Sequence, residues 1–142
     1  MDRILYTIGY GNRKPDDFVE ILKDAGIETV IDVRREGSRG YCFAYSPMGL
    51  RGKLKMIDIR YLPPGWLGNP CESLEDYAKY LDAAIAEDKY EKFGCLTSLM
   101  YDSFYGKTCL LCAEIDPAKC HRSILADRVV EMLGDGWEVI HL

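Results

Sequence analysis

At 142 residues, with 48% apolar and 29% charged side chains, the chain has the size and composition of one folded domain spanning 1–142. No apolar run approaches the roughly 18 residues a bilayer-spanning helix needs. The acid at position 2 and the short apolar stretch after it do not read as a signal peptide, so a cytoplasmic location without membrane partners is expected. The net charge of −5 argues against a general nucleic-acid binder.

That charge is unevenly spread. Residues 34–60 carry seven basic side chains against Glu36 and Asp58, a local excess of five on an otherwise acidic chain. A basic surface of this kind suits an anionic small molecule or a nucleic acid held at one place.

In chain order, residues 3–8 (RILYTI) read as a first strand ending in Gly9-Tyr10-Gly11. Pro15 opens a helix whose Phe18, Ile21, Leu22 and Ala25 share one face, and Gly26 closes it. Residues 28–33 (ETVIDV) form a second, continuously apolar strand, as strands covered on both faces do. Strand, helix, strand implies a parallel crossover. Ser46-Pro47 caps a short helix to about Lys55, and residues 57–62 form a third strand. Residues 63–70, with three prolines and two glycines, form a loop carrying Trp66. Ser73 and Asp76 make a near capping box for a helix through Ile85, and a further helical segment is expected over 89–102. A fourth strand over 107–113, a helix from Pro117 to about Leu133 and a fifth strand over 137–142 complete the pattern. The expected fold is α/β, a Rossmann-like three-layer domain with a mostly parallel five-stranded sheet.

Six cysteines without an export signal point to reduced, partly buried thiols rather than disulfides. Cys109 and Cys112 have CxxC spacing, but residues three apart on a strand face opposite sides, which argues against a redox pair. Gly9-x-Gly11 has lysine at position 14 where a dinucleotide fingerprint needs glycine, so it supports only a tight turn.

The richest stretch is CAEIDPAKCHR, residues 112–122. A strand feeding a helix places these residues at the carboxyl end of the sheet, where open α/β folds bind ligands. In the leading reading, the helix N-terminus, Arg122 and Arg34 hold an anion, with Cys120 and His121 alongside. Glu114 acts as general acid or base, and Cys112, at the strand end, is the better-placed nucleophile. Cys120 is expected about a turn inside the helix.

A metal site is an alternative, since Cys112, Glu114, Cys120 and His121 are donors that zinc prefers. Adjacent helical residues point about 100° apart, which argues against a compact cluster and leaves Cys112 and Cys120 with one further ligand. No metal set or cofactor is assigned. A purely structural network of Glu114, His121 and Arg122, and a non-catalytic nucleotide or nucleic-acid binding module, remain open. His141 is expected to make a core hydrogen bond.

Three segments together resemble a known family: TIGYGNR near the start, VIDVRREGSRGYCF after the second strand, and LLCAEIDPAKCHRSILAD with a terminal WEVIHL. They resemble the family catalogued as domain of unknown function 488. The resemblance implies a Rossmann-like domain and adds Thr7 and Ser38 to the candidate ligand-binding residues. One departure is Gly37, where the family usually has proline before this serine. A looser resemblance to rhodanese-like domains rests on Asp32-x-Arg34, Cys112 and Arg122-Ser123, across a span longer than the rhodanese loop.

Overall fold

The computed structural model describes residues 3–34, 43–62, 73–88, 106–116, 120–134 and 136–142. Its strands are β1 (Ile4–Gly9), β2 (Thr29–Asp32), β3 (Arg60–Leu62), β4 (Thr108–Cys112) and β5 (Glu138–His141). The helices among the described residues are α1 (Pro15–Asp24), α2 (Pro47–Met56), α3 (Leu74–Asp88) and α4 (His121–Leu133), with a 3-10 turn at Phe43–Tyr45.

The strands form one sheet in the order β3-β2-β4-β1-β5, and every pairing is parallel. The crossover through α1 therefore steps over one position, which β4 fills between β1 and β2. Because strand side chains alternate, the sheet feeds two cores. On one face Leu5, Ile31, Val33, Leu110 and Cys112 pack with Tyr77 and Leu81 of α3 and Leu125, Ala126 and Val129 of α4. On the other, Tyr6, Ile8, Val30, Cys109 and Leu111 pack with Phe18 and Leu22 of α1 and Leu50 and Leu54 of α2. This is a three-layer α/β arrangement with an all-parallel sheet. Cys109 and Cys112 lie in different cores, as the strand period requires.

Local signals place most element ends. Ser46 caps α2 by accepting the Gly49 N–H at 3.1 Å, and Ser73 accepts the Asp76 N–H at 3.1 Å. Gly26 ends α1 at φ +73, with the Ile27 and Gly26 N–H groups bonded back to Leu22 and Lys23 carbonyls. The third strand is shorter than expected, because residues 57–59 form the turn that ends α2.

The helix after β4 also differs from expectation. It starts at His121 rather than Pro117, and Cys120 is its N-cap, extended at φ −125 and ψ 142. The helix expected over 89–102, the Trp66 loop, Ser38 and residues 117–119 lie outside the described residues. No helix among the described residues is long and apolar enough to cross a membrane.

Candidate metal centre

The chain leaves β2 for α2 on one face of the sheet and leaves β4 for α4 on the other. Neighbouring strands whose connections diverge open a crevice at their carboxyl ends, and β4 sits in it. Cys112 is the last residue of β4, Cys120 caps α4, and His121 is the first residue of that helix. The extended backbone at Cys120 takes its side chain out of the helical spiral, so the 100° separation expected of neighbouring helical residues does not apply.

The three side chains converge. His121 Nδ1 lies 3.7 Å from Cys112 Sγ and 4.0 Å from Cys120 Sγ, and all three donor atoms fall within 4.8 Å of one another. On the far side of the ring, His121 Nε2 is 2.8 Å from the Val33 carbonyl oxygen. A carbonyl only accepts, so Nε2 carries a proton, and Nδ1 is the ring nitrogen that faces the sulfurs. The Tyr77 ring meets the imidazole edge-on at 5.2 Å and fixes its plane.

The thiols are electrostatically unequal. The hydrogen bond from Cys112 holds the Cys120 thiol well below its ordinary range, helped by His121 and by the Arg122 backbone N–H, against the opposing effect of burial. The same hydrogen bond and burial push Cys112 up. Cys120, the N-cap of α4, is thus the sulfur on which negative charge is favoured. Cys109, fully buried on the other face, is pushed up by desolvation.

A tetrahedral zinc with bonds of about 2.3 Å to sulfur and about 2.0 Å to nitrogen has donor–donor edges of roughly 3.5–3.8 Å. The two sulfur–nitrogen separations are close to that edge. A histidine ligand oriented by a backbone carbonyl is a common outer-shell arrangement in metal sites. Among the described residues, these three donors fit three positions of a borderline divalent ion.

A family model described as domain of unknown function DUF488 matches residues 14–129. The chain belongs to this family. No curated protein and no solved structure matches it.

The other candidates in this DUF488 chain fall around the centre with separate tasks. Arg122 is fully buried: Nε donates to Thr7 Oγ1 at 3.2 Å, Nη2 to the Ile115 carbonyl at 2.9 Å, and Nη1 to the Glu114 carbonyl. It pins the turn after β4 to β1. Gly9 makes room for this turn, since a Cβ there would overlap the Glu114 carbonyl, and one at Gly11 would overlap the Ile115 side chain. The paired glycines serve a close approach between two chain segments. Glu114 contributes its carbonyl to Arg122, while its side chain is exposed. Thr7 Oγ1 accepts from Arg122 and donates to His141 Nδ1 at 2.5 Å, so His141 makes a hydrogen bond to β1.

Arg34 is also buried. Its Nε and Nη2 donate to the Asp32 carboxylate at 2.7 to 3.1 Å, and its Nη1 donates to the Tyr45 carbonyl at 2.5 Å. Tyr61 donates to the same carboxylate at 2.6 Å, and Tyr10 stacks on Tyr45 with ring centroids 4.4 Å apart. Burial and the bond to Asp32 push the Tyr61 hydroxyl up. Asp32 is marked in the sequence only by the Asp-x-Arg resemblance, and Val33 carries no sequence signal of a site role. The DVR segment carries both, Asp32 holding Arg34 and Val33 supplying the carbonyl that orients His121.

Proposed function

We propose that the carboxyl end of β4 is a metal centre of the zinc class at which the protein acts on an anionic, phosphate-bearing or nucleotide-like substrate. The observation that carries this reading is the convergence of Cys112 Sγ, Cys120 Sγ and His121 Nδ1 within 4.8 Å, with His121 oriented by Val33. Three ligands are present among the described residues, and three protein ligands with one open position is the pattern of catalytic rather than structural zinc. An anion entering that position meets the ion's charge and the positive end of α4, whose first residue is itself a ligand. Both guanidiniums are held by internal hydrogen bonds, so in this reading they shape the cleft walls and the ion attracts the substrate. Glu114, exposed on the turn between two of the ligands, is the proton-handling group. A reducing compartment such as the cytoplasm keeps both sulfurs available as ligands.

Cobalt substitution tests both parts. Co(II) added to metal-free protein should give the intense visible bands of a tetrahedral thiolate site, and inorganic phosphate should shift them by entering the open position. Weak octahedral bands would overturn the metal site. Bands indifferent to phosphate and to phosphate esters would overturn the anionic substrate.

A further inference from the structure

We infer that a second site, independent of the Cys/His centre, binds a mononucleotide-class ligand in the cleft between α2 and the edge strand β3. The cleft, of about 540 Å³, is lined by Arg51, Lys55, Asp58, Ile59, Arg60 and Tyr61. That volume is in the range of small-molecule sites. It lies at the opposite end of the strands from the metal centre. Arg60 pairs with Thr29, which pairs with Thr108, four residues before Cys112. At about 3.3 Å per residue this is roughly 13 Å along the strand, before the two strands of lateral offset are counted.

The lining has the groups such a ligand needs. Arg51 and Lys55 stand one turn apart on the exposed side of α2. The Arg51 guanidinium lies over the Tyr61 ring at 5.8 Å, which leaves its N–H edge free to grip a phosphate. Lys55 adds a second cation, and neither Lys55 nor Asp58 has a side-chain partner among the described residues. Tyr61 and the edge of Ile59 form the apolar floor, and the Arg51 guanidinium plane over Tyr61 offers its outer face for a base to stack on.

Asp58 sits at the turn that ends α2. It takes φ +58, the only positive φ outside glycine among the described residues. The Ile59 and Asp58 N–H groups bond back to the Leu54 and Lys55 carbonyls, the same turn that ends α1. At α1 the left-handed position is Gly26, whereas at α2 it is an aspartate, costing about 1 kcal/mol relative to glycine. Asp58 lines the cleft beside Arg51 and Lys55. A carboxylate there accepts hydrogen bonds from ribose hydroxyls or base N–H groups, while the cations hold the phosphate.

Calorimetric titration with AMP and with inorganic phosphate tests the assignment. Both are titrated into the full chain and into Cys120→Ser, Arg51→Gln/Lys55→Gln and Asp58→Gly variants. AMP should bind more tightly than phosphate, keep its affinity in Cys120→Ser, and weaken at least tenfold in the double variant. Asp58→Gly should melt at higher temperature and bind AMP more weakly, with phosphate affinity unchanged or improved. The assignment is overturned if AMP gives no heat, binds no better than phosphate, or is indifferent to the double variant. Loss of AMP binding in Cys120→Ser would instead place the nucleotide at the metal centre.

Discussion

His121 Nε2 donates to the Val33 carbonyl at 2.8 Å across 88 positions of sequence, and this bond turns Nδ1 toward the sulfurs of Cys112 and Cys120. A ring free to rotate would lose conformational entropy on binding an ion. A ring already held does not, so the hydrogen bond preorganises the centre.

Replacing His121 separates its two tasks. His121→Ala removes a ligand and leaves the buried Val33 carbonyl unsatisfied, so even in chelator the protein should lose about 1–3 kcal/mol in urea denaturation. Unchanged chelator-treated stability would show that the Val33 bond contributes nothing to the fold.

Two glycine substitutions should act in opposite directions. A Cβ at Gly9 overlaps the Glu114 carbonyl that Arg122 holds, so Gly9→Ala should displace the turn after β4, lower the melting temperature and weaken metal binding. A Cβ at Gly52, inside α2, meets nothing within 4 Å. Gly52→Ala should therefore stabilise the protein by about 0.5–1 kcal/mol through reduced backbone freedom in the unfolded chain. Equal melting temperatures for the two variants would contradict the packing described at Gly9.

The carboxylate of Asp32 is shared by Arg34 and Tyr61 in a buried setting. Asp32→Asn leaves the guanidinium without its counter-charge and should cost about 3–5 kcal/mol. Tyr61→Phe removes one hydrogen bond to a charged group and should cost about 1.5–3 kcal/mol. Chemical denaturation of both variants checks this order, and a reversed order would place the main restraint at Tyr61.

Acid should weaken the fold through His141. Its Nδ1 accepts from Thr7, and desolvation of that one edge of a largely exposed ring, with the nearby charge of Arg122, lowers its affinity for a proton. The unfolded chain then binds the proton more readily, at about pH 6.5, so stability falls as pH drops from neutrality through that value. The loss levels off once pH passes below the lowered folded value. His141→Gln should flatten this limb of the profile, and a variant curve parallel to the parent's would remove His141 as the cause.

Strands and helices were legible because their signals are local. The apolar run of β2, the Phe18–Leu22 spacing of α1 and the serines before α2 and α3 each fix an element without distant information. The site was harder to read for two physical reasons. Asp116-Pro117 looks like a helix start, and a start there would bury Cys120 in the spiral away from His121. Moving the start to His121 turns Cys120 into an extended cap and assembles the cluster. The arginines were legible as cations, but their partners were not, since Arg122 meets Thr7 across 115 positions. The paired glycines had a signal for close approach, but what approaches is the turn carrying Glu114 and Ile115.

The most direct test is the zinc content of the purified full chain by elemental analysis, with Cys112→Ser, Cys120→Ser, His121→Ala and Cys109→Ser alongside. Cys109 lies in the other core and serves as the control. About one zinc per chain is expected in the parent and in Cys109→Ser, with loss from the other three. Zinc-free parent protein that takes up none on reconstitution, or zinc retained at full occupancy in both Cys120→Ser and His121→Ala, would contradict the metal centre.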